Sequence, residues 1–147
     1  MGDPPDYDLR YLAGIVLFNR GDYFAAHEVW EDLWLDCPSA DRRFYQSLIQ
    51  AAVALYHWAR GNAAGARRLF HSGRAYMGPY GPRHLGLGVA EFWAGVGVAL
   101  AGALAEPAAV LGPAPAPAID LVPPPGGWPD DSTVARLLAP PEDGTES

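Results

Sequence analysis

Lysine is absent from this 147-residue chain: all ten basic residues are arginines, set against 17 acids for a net charge of −7. No basic cluster forms, which argues against binding the phosphate backbone of DNA or RNA. Cysteine is almost absent too. A single Cys37 excludes an internal disulfide and a cysteine-rich zinc site, and it suits a reducing, cytoplasmic setting. The first ten residues are acidic and polar, unlike a secretory signal. Long apolar runs are also missing: the least polar stretch, 86–104, contains Glu91 and five glycines, so it reads as a buried helix rather than a membrane span. There is no Ser/His/Asp order, glycine-rich phosphate loop or CxxC.

Half of the residues are hydrophobic, enough for one domain with its own core. Up to residue 106 the apolar residues recur with a helical period. Leu9, Leu12, Ala13, Val16 and Leu17 mark a first helix ended by Arg20-Gly21. Asp22 caps a second, Tyr23–Asp36, with Ala26, Val29, Trp30 and Leu33 on one side. A third runs from about Ala40 to Arg60, a fourth from Ala63 to Tyr76 after the cap Asn62, and a fifth from Leu87 to Leu104. The fold expected is all-α, a bundle of about five helices arranged as stacked αα-hairpins over residues 1–106. Residues 107–147 hold ten of the fifteen prolines and form an acidic Pro-rich tail, partly docked through Ile119, Leu121, Val122 and Trp128 or disordered. Deleting the chain beyond Gly112 is expected to leave the helical circular dichroism nearly unchanged.

A weak repeat with a period of 40 runs through the bundle. Arg20-Gly21-Asp22 matches Arg60-Gly61-Asn62, Ala26 matches Ala66, and Trp30 matches Phe70. Two αα-hairpins side by side follow from it. Short αα turns favour Gly before a capping residue in any case, and that explanation is preferred to duplication.

The polar residues with chemical potential lie on the second and third helices. His27 and Glu31, four apart, share a helix face and make half of a metal site, while Glu28 points elsewhere. The zinc-protease motif needs a histidine where Glu31 stands, so it is absent. On the third helix Arg43, Gln46, Ser47, Gln50, Ala54 and His57 fall in one stripe about 100° wide. A solvent face usually carries Glu, Lys and Arg; this stripe is mostly Gln, Ser and His, which suits partial burial against partners. Antiparallel packing of the two helices would let His27 and Glu31 face Gln50 and His57. The bland alternatives are a surface hydrogen bond for the His27–Glu31 pair and core packing for the tryptophans. His71 and His84, without acidic neighbours at helical spacing, are expected to be exposed, and Glu91 to face water.

The run Leu17-Phe18-Asn19-Arg20-Gly21-Asp22-Tyr23-Phe24-Ala25-Ala26-His27-Glu28-Val29-Trp30-Glu31-Asp32-Leu33-Trp34 closely resembles the signature of the domain of unknown function 309 family. So does the run from Phe44 to His57, followed by Arg60-Gly61-Asn62 and Gly65-Ala66. The resemblance covers about residues 9–77. It implies an all-α bundle, no established activity, and His27, Glu28, Glu31, Gln46, Gln50, His57 and Asn62 as the motif's polar positions. Two departures stand out: Ala25 where the family usually has a Glu that completes a capping box, and Ser47 where it tends to have Gly.

Two functions follow as expectations. The first is a non-catalytic helical protein, without a cofactor, whose candidate polar site of His27, Glu28, Glu31, Arg43, Gln46, Gln50 and His57 forms an inter-helix network and serves an interaction module. The second is a metal-dependent hydrolase in which His27, Glu31 and His57 bind a divalent metal and Glu28 or Gln50 orients water. A homo-oligomer or a protein partner is expected; a nucleic acid or a membrane span is not.

Overall fold

The computed structural model describes residues 6–105, 107–109 and 117–139. Four helices in sequence, α1 (Leu9–Asn19), α2 (Tyr23–Asp36), α3 (Arg42–Ala59) and α4 (Ala63–Met77), form the body. Each is antiparallel to the next. Arg10 at the start of α1 reaches Asp36 at the end of α2 at 2.7 Å, Phe24 at the start of α2 meets Tyr56 near the end of α3, and Arg43 at the start of α3 lies over Tyr76 of α4.

The two hairpin turns have the same geometry at an offset of 40 residues. Gly21 and Gly61 both sit at φ 82°, a left-handed conformation that glycine adopts at little cost. Asp22 N–H donates to the Leu17 carbonyl at 2.9 Å, and Asn62 N–H to the His57 carbonyl at 2.8 Å. These are the bonds of a Schellman C-cap. The same two residues then cap the following helices, Asp22 accepting from Ala25 N–H at 3.4 Å and Asn62 from Gly65 N–H at 2.9 Å.

After a single 3₁₀ turn, Gly78–Tyr80, a short antiparallel hairpin pairs β1 (Arg83–His84) with β2 (Leu87–Gly88). Its two turn residues, Leu85 (φ 47°) and Gly86 (φ 80°), both have the positive φ of a type I′ turn. The fifth helix expected from Leu87 to Leu104 is therefore shorter. It comprises α5 (Val89–Ala99) and a last turn, α6 (Ala101–Leu104), because Leu87 and Gly88 are drawn into the hairpin and Leu100 leaves helical geometry (ψ 9°). α5 lies across the body, with Phe92 against Phe18 and Trp93 against Phe70.

The core centres on Trp30, fully buried, whose indole N–H donates to the Tyr11 carbonyl at 3.2 Å. Residues beyond 107 join this core. Ile119 and Leu121 are buried while Ala118, Asp120 and Val122 face out, the alternation of an extended strand. The Asn19 side chain exchanges two bonds with the Ile119 backbone, donating to its carbonyl at 3.0 Å and accepting from its N–H at 2.8 Å. A further helix, α7 (Asp131–Leu138), follows where the proline-rich composition leads one to expect none. Asp130 caps it, and it buries Val134. Val122 and Trp128, offered by the sequence as docking residues, are exposed.

Candidate functional site

The motif residues on α2 point outwards. Glu28 and Glu31 are exposed and have no hydrogen bond or ion pair among the described residues. His27 is half-buried, its ring edge-on to Phe24, and Nδ1 lies 2.6 Å from the Phe24 carbonyl. A carbonyl only accepts, so Nδ1 carries a proton. This bond closes within α2 and does not reach α3.

The polar stripe of α3 faces α4 instead of α2. Gln50 accepts from the Ser72 hydroxyl at 2.7 Å, the Arg43 guanidinium stacks on Tyr76 at 4.4 Å, and His57 packs where a side chain on Gly65 would sit, 3.0 Å away. Ser47, fully buried, donates to the Arg43 carbonyl at 2.9 Å, which satisfies its hydroxyl inside the helix. Gln46 is half-buried on the same helix. α4 approaches closely because Gly65 and Gly73 present no side chain to His57 and Gln50. The bonds expected from His27 and Glu31 to Gln50 and His57 are thus absent among the described residues, and no three His, Cys, Asp or Glu side chains there come together as a metal site. His71 and Glu91 are exposed. Glu91 lies in the first turn of α5, where a carboxylate complements the helix dipole.

His84 differs from the expectation of an exposed ring. It is half-buried between Phe44 and Tyr80, each ring centroid at 4.8 Å, and Nε2 lies 2.7 Å from Asp41 Oδ1. The partner stands 43 residues away, beyond the reach of any helical spacing.

Asp41 also borders a cavity of about 460 Å³ between the starts of α1 and α3 and the β-hairpin, lined by Asp6, Tyr7, Asp8, Tyr11, Tyr45 and Leu85 as well. The three tyrosine rings follow one another at 5.9 Å spacing. Tyr11 donates to the carbonyl of the strained Leu85 at 3.0 Å, and Tyr7 to that of Pro123 at 2.6 Å. Burial raises the phenols of Tyr11 and Tyr45 far above their ordinary value. Neighbouring Tyr45 and Tyr7 add to the effect on Tyr11, and the Asp41 and Asp8 carboxylates to that on Tyr45. A phenol that stays neutral in the fold but ionises in the unfolded chain stabilises fully below pH ~10 and progressively less above it. The denaturation midpoint should therefore fall as pH rises beyond ~10, with tyrosinate absorbance showing two phenols that titrate only on unfolding. Unchanged stability across that range would contradict the burial.

Comparison with known proteins agrees with the motif. Residues 11–69 match the model of a family described as domain of unknown function (DUF309). An "Uncharacterized protein YpuF" of Bacillus subtilis (strain 168) is 45% identical over 65 residues, which are 43% of this chain and 37% of that protein. The chain thus aligns with little more than a third of its curated relative's length. No solved structure matches. The hairpin pair built around Trp30, from Tyr11 into α4, is a domain of the DUF309 family.

Proposed function

We propose that the protein is a non-catalytic interaction module whose α2 helix docks a basic amphipathic segment. One observation carries this reading. Phe24, Glu28, Glu31 and Leu35 are all exposed, with Phe24 47% and Leu35 62% accessible. Spaced by four, three and four residues, they form one ridge along the helix. Large apolar side chains at both ends of a ridge with two carboxylates between them match a helix that offers apolar, basic, basic, apolar side chains at the same spacing. His27 and Trp34 flank this ridge. Trp34 is half-buried, its ring covered by the Arg42 guanidinium at 4.3 Å. A second copy is a poor occupant, because antiparallel pairing of two such ridges sets Glu28 against Glu31.

The hydrolase reading has less support, since its ligands His27, Glu31 and His57 do not converge. Stoichiometric zinc, iron or manganese in untagged protein would restore it. No helix among the described residues is long and apolar enough to cross a membrane, and a cytoplasmic setting goes with the single free Cys37.

The test uses a ~18-residue amphipathic peptide, five helical turns long, carrying Leu, Lys, Lys and Leu at ridge spacing. Saturable binding is expected by fluorescence anisotropy, with amide shifts confined to α2 and the adjoining turns of α3. Glu28→Lys/Glu31→Lys should weaken binding at least about tenfold, because two exposed pairs worth up to ~1 kcal/mol each are lost and repulsion is added. Equal affinity for wild type and the double variant would sink the reading.

A further inference from the structure

We propose that the tyrosine-lined cavity at the starts of α1 and α3 binds a primary alkylammonium ion. Its walls hold the two things such a cation needs, aromatic faces and oxygen acceptors in place of water. Tyr7, Tyr11 and Tyr45 supply a continuous aromatic wall at 5.9 Å spacing, over which a cation is attracted by the ring quadrupoles. Asp6, Asp8 and Asp41 supply carboxylates at the same opening. Leu9 and Leu85 provide apolar contact for a methylene stem.

The protein's own groups satisfy this cavity only in part. Asp8 spends Oδ1 on the Arg10 backbone N–H at 2.9 Å, with the Arg10 guanidinium at 3.5 Å, as the cap of α1. Asp41 spends Oδ1 on His84. In both, Oδ2 has no partner among the described residues, and Asp6 has none at either oxygen. Tyr45 adds an observation independent of these acids. The residue is 94% buried, being 6% exposed, it lines the cavity, and its hydroxyl has no hydrogen bond among the described residues. Tyr7 and Tyr11 commit their protons to carbonyls; Tyr45 does not. The rest of the side chain is enclosed, so this hydroxyl is reached from the cavity and is open to whatever binds there. An ammonium, with three N–H donors and no acceptor, has a donor for each of the Tyr45 oxygen and the two free carboxylate oxygens. An anion is excluded by the acids, and a neutral apolar molecule leaves all three acceptors unsatisfied.

The cavity volume falls within the range of small-molecule sites, ~300–1,000 Å³, which leaves room for a short-chain amine or diamine. Free amines and protein lysine side chains share this chemistry, and the choice here is the free amine, because the site is a concavity and not a groove. The site lies apart from the α2 ridge, so the two proposals stand or fall separately.

The experiment is calorimetric or ligand-observed NMR titration of the full chain with 1,5-diaminopentane. N-acetyl-lysine amide stands in for a protein side chain, tetramethylammonium has charge without donors, and 1-pentanol has the stem without charge. Saturable binding of the diamine is expected, at least about tenfold tighter than that of tetramethylammonium or 1-pentanol, and tighter than that of the lysine mimic. Asp6→Asn, at an exposed carboxylate without a partner among the described residues, should weaken it several-fold, and Tyr45→Phe, which keeps the ring, about threefold or more. Asp41→Asn should weaken it most. Because that change also loosens His84, Asp6→Asn and Tyr45→Phe, each checked for an unchanged melting midpoint, keep the test decisive. The proposal is overturned if 1-pentanol binds as well as the diamine, if the two well-folded variants bind like wild type, or if no amine binds. Tighter binding of the lysine mimic would reassign the site to a protein side chain and overturn the free-amine assignment.

Discussion

Gly14→Ala is expected to cost about 3 kcal/mol, a large share of the total stability of a domain this size. A Cβ at Gly14 overlaps the Trp30 indole, its nearest neighbour from outside α1. The indole has nowhere to go. It is fully buried, its N–H is held by the Tyr11 carbonyl at 3.2 Å, and Phe18 packs at 5.7 Å. Overpacking a rigid ring against a helix backbone belongs at the costly end of the range. Trp30→Ala alone, which removes the largest fully buried side chain, should cost ~3–5 kcal/mol. The pair should couple strongly: Trp30→Phe relieves the overlap, so the double variant Gly14→Ala/Trp30→Phe should be more stable than the sum of its two single changes implies. Urea unfolding of the four proteins measures this. Additivity within ~0.5 kcal/mol would mean that the cost of the alanine does not arise at the indole.

That close approach was not legible in the sequence, although the helices making it were. Leu12, Val16 and Leu17, then Ala26, Val29, Trp30 and Leu33, repeat with the helical period, and Gly21-Asp22 and Gly61-Asn62 name both turns with their caps. Period and capping chemistry are local, so they survive reading without a structure. The β-hairpin is different. Its turn requires positive φ at two residues, a signal usually given by Asn-Gly or Asp-Gly, and here Leu85 takes one of them. α7 did carry a local signal, Asp130 ahead of Ser132-Thr133 and the apolar residues Val134, Leu137 and Leu138, but the surrounding prolines outweighed it.

The polar stripe illustrates the same boundary for the candidate site. Helical geometry places Gln46, Ser47, Gln50 and His57 on one face of α3, and the structure keeps them there. It does not say which neighbour that face meets. The deciding residues stand on α4, where Gly65, Ser72 and Gly73 make a surface small enough to accept the stripe. α2 instead meets α3 through rings, Phe24 on Tyr56, and through Trp34 under the Arg42 guanidinium at 4.3 Å. The tyrosine-lined cavity had no sequence signal at all. Tyr7, Asp41 and Leu85 come from three separate segments, and only the tertiary fold joins them.

Truncation after residue 112 separates helix content from stability. The helical circular dichroism should stay close to that of the full chain, as the sequence implies, because among the described residues the deletion removes only the eight residues of α7 from the helices. The denaturation midpoint should nevertheless drop, by about 2–4 kcal/mol in stability. Ile119, Leu121 and Val134 each leave 5% or less of their surface accessible, so the deletion uncovers the apolar surface they cap, and hydrophobic burial of such side chains is worth ~1.5–3 kcal/mol each before the ordering of the segment is set against it. Asn19 loses both bonds to Ile119, the half-buried part of a clasp whose outer bond joins Arg20 to Asp131. That exposed ion pair should contribute little. Point variants divide the effect: Leu121→Ala and Ile119→Ala should each cost ~2 kcal/mol or more, Asn19→Ala ~1–3 kcal/mol, and Arg20→Ala less than ~0.5 kcal/mol. If the truncated chain unfolds at the same denaturant concentration as the full one, the docked segment contributes nothing to the core. If the spectrum collapses along with the midpoint, α1 and α5 depend on their cover to remain helical.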